Sequence, residues 1–176
     1  MENENKKSEK SLFISKQIRG LRNKENRYCK KLKRLLNKES MMATIGYVPG
    51  NVSVDGEERS LFLSREIVNK IENDHGPICP ENMIITVFEW EYAIVNVDNK
   101  PDRINLLKTI PESENYLVIA ANRYNGFYTV THFETESKNG NNLKRLLKRG
   151  NVVNRVSSVA CTTDQDLDSS QTREVV

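Results

Sequence analysis

Two runs rich in β-branched and aromatic residues meet at Asn125-Gly126, and this junction constrains the fold more than any other feature of the sequence. The runs are ENYLVIAANRY (114–124) and GFYTVTHFETE (126–136). Asn-Gly favours the tight turn that joins two antiparallel strands, because both residues tolerate a positive φ. The sequence therefore predicts a β-hairpin in this part of the chain.

Two further strand-like runs precede the hairpin. They are YAIVNV (92–97) and RINLLKTI (103–110), and turn-forming residues separate them from each other and from the hairpin. Short links between successive strands are typical of an antiparallel meander. We therefore expect four consecutive strands after Trp90.

The segment before Trp90 has helical periodicity instead. In SLFLSREIVNKIENDHG, Ser64 is a favourable N-cap, and His75 is followed by Gly76 and Pro77, which close a helix. Pro80 suits the first position of a second helix, since its missing N–H needs no partner there. These signals predict two helices between residues 64 and 89.

A last helix is expected in NNLKRLLKRG (141–150). The fold class predicted from this order of elements is α+β: N-terminal helices packed on one face of a four-stranded antiparallel β-meander, with a C-terminal helix. The other face of the sheet would then be open to a ligand.

The N-terminal part of the chain forms a separate pattern. Residues 1–40 contain 13 basic and 5 acidic residues, and we interpret them as a basic amphipathic helical arm. Residues 41–155 would form the α+β domain, and residues 156–176 an acidic, disordered tail. One apolar stripe on the arm packs either on the domain or on a second copy of the chain; it consists of Ile14, Ile18, Leu21, Tyr28, Leu32 and Leu35.

Composition excludes several other classes of protein. No run approaches the ~20 apolar residues of a membrane span, and the polar N-terminus does not resemble a signal peptide. Cys29, Cys79 and Cys161 form no CxxC or Cys/His cluster, so we expect no structural zinc site and a reducing, cytoplasmic location.

The order of the motifs resembles a known family. LFLSREIVNKIENDHG, then YLVIAANRY-NG-FYTVTHF, then NNLKRLLKRGNVV is similar to the phage-associated barnase–EndoU–colicin–RelE nuclease domains over about residues 61–155. The resemblance implies a barnase-like or RelE-like fold, a metal-independent ribonuclease activity without cofactor, and a site on the exposed sheet face. It marks His75 at the helix end, Thr131 in the Val-Thr pair and Arg123 near the end of the third strand.

RNA cleavage without metal needs a general base, a general acid and positive charge at the phosphate. Imidazole suits the first two roles near neutral pH, and arginine binds phosphate in a bidentate fork. The hypothesis assigns His75 as base or acid, Thr131 and Arg123 to the scissile phosphate, and His132 as the candidate partner of His75. A regular strand would place His132 on the face opposite Thr131. The structural alternative for His75 is a cation that stabilises the helix end.

The function that the resemblance implies for these residues is cleavage of single-stranded RNA to a 2′,3′-cyclic phosphate by a cytoplasmic, toxin-like endoribonuclease. An inhibitor or immunity protein is a further expected partner. Basic side chains of the last helix and of the arm are the expected RNA contacts: Lys144, Arg145, Lys148, Arg149, Lys30, Lys31, Lys33 and Arg34.

Two alternatives remain open from the sequence. The chain could be a non-catalytic RNA- or ribosome-binding module that uses its basic N-terminal helix. It could also be a protein-interaction module that dimerises as a coiled coil through the apolar stripe of that helix.

Overall fold

The computed structural model describes residues 21–111, 115–137 and 142–155. In these residues the chain forms four helices: α1 (Asn23–Leu36), α2 (Arg65–His75), α3 (Pro80–Phe88) and α4 (Asn142–Leu147). Seven strands accompany them: β1 (Met42–Val48), β2 (Arg59–Ser64), β3 (Tyr92–Val95), β4 (Arg103–Thr109), β5 (Asn115–Tyr124), β6 (Phe127–Ser137) and β7 (Asn151–Asn154). None of the described helices is both long and apolar enough to cross a membrane.

The seven strands form one mixed sheet in the order β1-β2-β6-β5-β4-β3-β7. All neighbouring pairs are antiparallel except β2 and β6, which run parallel through two residue pairs, Leu61 with Tyr128 and Phe62 with Thr129. The hairpin between β5 and β6 turns at Asn125 and Gly126, which have φ angles of 47° and 81°. These positive values confirm the turn predicted from Asn-Gly.

The predicted fold class is wrong in its sheet. The four predicted strands correspond to β3–β6, but the sheet has seven strands and is mixed rather than a four-stranded antiparallel meander. The β1–β2 hairpin extends it beside β6, and β7 extends it beside β3. Two features contribute to the difference: β7 has only four residues, and β2 passes directly into a helix, so neither shows a long alternating pattern.

The helix boundaries around α2 and α3 follow the local signals. The Ser64 hydroxyl accepts a hydrogen bond from the Ile67 N–H, and the helix ends at His75 with Gly76 at φ 88°. Pro80 is the first residue of α3. The N-cap, the glycine and the proline predicted from the sequence are therefore confirmed.

Most of the core lies between one face of the sheet and helices α1–α3. We call this the helix-covered face; β5 contributes Leu117, Ile119 and Ala121 to it. The other face, which we call the second face, carries a smaller core where α4 packs. That core consists of Ile94, Val97, Leu107, Tyr116, Val118 and Leu146. The second face is therefore covered over part of its area and not open throughout.

Helix α1 belongs to the core of the domain. Cys29, Leu32 and Leu35 are buried in it, so the apolar stripe packs within one chain along this length. Glu25, the residue that interrupts the stripe, accepts a hydrogen bond from the Arg22 N–H at 2.7 Å and so caps the helix start. The first part of the predicted arm and the predicted acidic tail lie outside the described residues.

Gly46 is required where β1 is crossed by α3. A bulge at Ile45 shifts the register of β1 against β2, and Gly46 follows it with φ 152°. A Cβ added at Gly46 would lie 2.5 Å from Val87 Cγ1 of α3. Gly56 in the β1–β2 loop also has a positive φ, 76°, but nothing lies within 4 Å of an added Cβ.

We predict that Gly46→Ala lowers the free energy of unfolding by roughly 2–5 kcal/mol, because overpacking and an unfavourable φ act together. Gly56→Ala is the matched control and should lose about 1–2 kcal/mol, from the φ angle alone. Urea denaturation of both variants measures the difference. Equal losses would contradict the close approach of α3 to β1.

Candidate active site

His75 is the last residue of α2, and the fold brings this helix end to the edge of β6. Strand β2 pairs with β6 only through Leu61 and Phe62, and the chain enters α2 directly after Ser64. Helix α2 then packs against β6. Val68 and Ile71 anchor it in the core, and the His75 side chain stays 31% exposed. The helix thus holds one imidazole beside the sheet and in contact with solvent.

His132 lies on β6 just after a bulge. Val130 pairs with Ala121 and His132 pairs with Ala120, so Thr131 is an extra residue without a paired position. Side chains alternate between the two faces along a regular strand. Without the extra residue, His132 would therefore face the core, on the same side as the buried Val130. With it, Phe133 continues the buried set, and His132 and Glu134 share the second face with Ala120 and Val118. The bulge therefore presents both polar side chains on the same face.

His75, His132 and Glu134 form one cluster, which we call the His–Glu–His cluster. The Glu134 carboxylate lies between the two rings: its Oε2 is 3.2 Å from His75 Nδ1, and its Oε1 is 2.7 Å from His132 Nε2. The ring centroids of the two histidines are 4.6 Å apart, with the planes at 82°. Glu134 thereby links His75, at a helix end, to His132, on a strand. The two histidines are 57 positions apart in the sequence.

The bridging carboxylate determines how each ring can act. An ionised carboxylate only accepts hydrogen bonds, so His75 Nδ1 and His132 Nε2 act as donors to it. This leaves the second nitrogen of each ring, His75 Nε2 and His132 Nδ1, as the one through which the ring can exchange a proton with another molecule. An acid that orients an imidazole in this way is the arrangement found in hydrolytic triads. The cluster can therefore supply two oriented proton-transfer groups.

Thr131 lies next to His132 but uses its hydroxyl locally. Its Oγ1 donates a hydrogen bond to the Ala120 carbonyl oxygen at 3.3 Å, across the bulge. This contact ties the extra residue to β5. Thr131 therefore helps to hold the bulge that orients His132.

Arg123 is not brought to the cluster. It pairs with Tyr128 on β6, a buried residue of the helix-covered face, whereas His132 faces the other side. Its guanidinium contacts Asp55 of the β1–β2 loop at 2.7 Å. Arg59 binds the same carboxylate through two nitrogens, at 3.0 and 2.7 Å. The structure thus gives Arg123 a partner in a loop-fastening network.

The second face continues from the cluster towards the β5–β6 turn. Asn122 and Thr129 pair on this face, and beyond them Phe127 contacts Tyr124 and Phe62, with ring centroids 6.0 and 5.1 Å apart. Tyr124 is 65% exposed. Tyr128 and Phe133, in contrast, are buried in the core. One sheet face therefore presents the His–Glu–His cluster and an accessible aromatic group.

The basic residues proposed as RNA contacts divide between the two sides of the sheet. Helix α4 packs on Val118, the residue paired with Glu134, so Lys144, Arg145 and Lys148 lie on the same side as the cluster. Arg149 binds Asp98 at 2.6 Å. The basic residues of α1 lie on the other side; they are Lys30, Lys31, Lys33 and Arg34, and Lys33 binds Glu81 at 2.6 Å.

Glu134 belongs to the candidate site but was not among the residues that the sequence singled out. The signal was present as His-x-Glu in THFETE, since residues two apart on a strand share a face. A bulge does not alter this spacing when it precedes both residues. The pair alone did not reveal that His75 would reach it.

Comparison of the chain with protein-family models, curated proteins and solved structures gives no match.

The Asp55 network leads to a prediction about pH. Arg59, and then Ser53, hold the pKa of Asp55 below its ordinary value. A carboxyl whose pKa is lower in the folded state stabilises the fold above the unfolded pKa, about 3.9, and this stabilisation is lost as the pH falls through the folded pKa. Asp55→Asn should therefore reduce the free energy of unfolding at about pH 7, and its difference from the wild type should shrink steadily below about pH 4.

Urea denaturation across this pH range measures the effect. Glu58→Gln is a suitable control, because Glu58 is an exposed acid of the same loop and its replacement should change stability little. A difference for Asp55→Asn that stays constant with pH would contradict the assignment.

Proposed function

We propose that the protein is an endoribonuclease that cleaves single-stranded RNA to a 2′,3′-cyclic phosphate by acid–base chemistry without a metal ion. The observation that carries the proposal is the contact of His75 and His132 through Glu134 on an accessible part of the sheet. Free thiols at Cys29 and Cys79 are in keeping with a cytoplasmic location, which we include in the proposal.

The reaction divides between the two rings of the cluster. One neutral imidazole takes the proton from the ribose 2′-hydroxyl, and the resulting oxygen attacks the adjacent phosphorus. The other, protonated imidazole gives its proton to the departing 5′-oxygen, and the 2′,3′-cyclic phosphate remains. A centroid separation of 4.6 Å puts both rings within reach of one phosphate. Glu134 orients both rings throughout.

Charge stabilisation at the phosphate follows from the same arrangement. Each phosphoryl oxygen that gains charge in the transition state needs a nearby donor or cation. The protonated imidazole supplies one, and Lys144, Arg145 and Lys148 lie on the same side of the sheet. Arg123 and Thr131 are left out of this step, since each already has a partner in the domain.

The aromatic group on the second face supports single-stranded RNA as the substrate. Splayed bases stack on exposed aromatic rings, and base edges in an A-form duplex are poorly accessible to side chains. Tyr124 and Phe127 lie on β5 and β6, next to the turn and on the face that carries the cluster. An RNA strand that crosses this face can stack one base on these rings while a phosphate farther along the strand lies at the histidines.

We predict that His75→Gln and His132→Gln each lower kcat/KM for a fluorescent single-stranded RNA by roughly 100- to 10,000-fold, because each removes one proton-transfer group. Glu134→Gln should also lower it, since the amide cannot accept from both rings in the same way. The assay contains EDTA, and far-ultraviolet circular dichroism checks folding. Glu72→Gln, an exposed change on α2 one turn before His75, is the control and should retain activity.

The pH profile adds an independent check on the two-histidine mechanism. Wild-type kcat/KM should be bell-shaped, because one ring must be neutral and the other protonated. Each histidine variant should lose one limb of the bell. Cleavage at the wild-type rate by both histidine variants would refute the proposal.

We further predict that Tyr124→Ala weakens binding of single-stranded RNA by roughly 5- to 150-fold, as expected for the loss of one base-stacking contact. The effect should appear mainly in KM or in the Kd of an uncleavable 2′-deoxy substrate. Tyr124→Phe keeps the ring and should bind as the wild type does. Loss of binding in the phenylalanine variant would assign the effect to the hydroxyl instead.

A further inference from the structure

The His–Glu–His cluster also has the donor set of a transition-metal site. His75 and His132 each offer a ring nitrogen and Glu134 offers a carboxylate oxygen, and these three atoms all lie within 4.8 Å of one another. Among the described residues this is the one group of three or more histidine, cysteine or acidic side chains with such spacing. The proposed acid–base mechanism uses no metal ion, so metal binding is a separate property of the cluster.

The distances are close to those that a bound ion needs. Zinc binds imidazole nitrogen and carboxylate oxygen at about 2.0–2.2 Å, which places the ligands of a tetrahedral ion about 3.3 Å apart. The His75 Nδ1 to Glu134 Oε2 distance is already 3.2 Å. The largest separation in the group, up to 4.8 Å, is longer than this spacing, so the partly exposed side chains have to turn inward to hold an ion.

The chemistry of the donors selects the class of ion. Two imidazoles and one carboxylate suit zinc and other transition metals, whereas magnesium and calcium prefer sites made of oxygen atoms. Three protein ligands leave a fourth position for water, and the exposed fractions of His75, His132 and Glu134 are 31%, 34% and 23%. An ion can therefore reach the cluster directly from solvent.

Metal binding and acid–base catalysis compete for the same atoms. An ion bound to His75 Nδ1, His132 Nε2 and Glu134 replaces the protons that link the carboxylate to the rings. The carboxylate then no longer orients two independent proton-transfer groups, and the protonated ring that the reaction needs is removed. We propose that the His–Glu–His cluster is a binding site for one Zn²⁺ ion and, in a second part that rests on the proposed function, that its occupancy switches off RNA cleavage.

The binding part of the proposal is tested without any activity assay. The full chain, free of affinity tag and dialysed from EDTA, is titrated with ZnCl₂ in an isothermal calorimeter. We expect one ion per chain, with the affinity weakened more than about 100-fold in His75→Ala and Glu134→Gln, since even outer-shell changes cost about 10- to 100-fold. MgCl₂ should give no binding at the same concentrations.

Thiols are the competing ligands in this chain and need their own control. A variant with Cys29, Cys79 and Cys161 all changed to alanine should bind zinc as the wild type does. Because zinc displaces protons from the imidazoles, the affinity should fall as the pH is lowered. No zinc binding, or binding unaffected by His75→Ala, would overturn the site.

The regulatory part is tested on RNA cleavage. Added zinc should inhibit the wild-type protein in proportion to the occupancy measured by calorimetry, and EDTA should restore the activity. Cleavage that is lost in EDTA and restored by zinc would overturn both the inhibitory role and the metal-free mechanism. A protein that binds zinc at the cluster but never cleaves RNA would retain the site, overturn its inhibitory role, and refute the proposed function separately.

Discussion

The pairing of β5 with β6 is the interaction on which the rest of the structure depends. The ladder extends from Tyr124 with Phe127 to Asn115 with Ser137, and it lies inside the sheet with neighbours on both sides. It also decides which side chains face the helices, because paired residues share a face. One unpaired residue, Thr131, allows Val130 and Phe133 to be buried while His132 between them is not. A single-residue irregularity therefore separates the core from the candidate site.

The candidate site also requires that β2 pairs with β6 over only two residue pairs. After two pairs with β6 the chain turns into α2, and no loop is needed because Ser64 caps the helix. The helix takes the place beside β6 where further strand residues would have paired, and its length of 11 residues brings His75 level with the far half of β6. Gly76 and Pro77 then end the helix at this point. The position of the His75 imidazole thus depends on two things. Local signals start and end α2, and the non-local pairing of β2 with β6 places the start of the helix.

The difference between local signals and non-local strand pairing explains what the sequence could predict. Local signals at Ser64, Gly76, Pro80 and Asn125-Gly126 predicted the boundaries of helices and a turn correctly, because each depends on residues close in sequence. The parallel pairing of β2 with β6 and the four-residue β7 depend on distant partners, and the predicted sheet was wrong as a result. For the site, both histidines were candidates, but the contact between them and the role of Glu134 required the bulge. Arg123 was assigned by resemblance alone, and its register on β5 turns it to the helix-covered face.

The two faces of the sheet consequently serve different purposes. The helix-covered face holds the larger core and, at its edge, the Asp55 network that fastens the β1–β2 loop to β5. The second face is covered by α4 only over part of its area, and the uncovered strip along β6 carries ionisable and aromatic side chains. Ionised groups need water or partners, which a fully covered face would deny them. Partial cover is therefore the condition that lets one sheet contribute both a stable core and a partly exposed surface of ionisable and aromatic side chains.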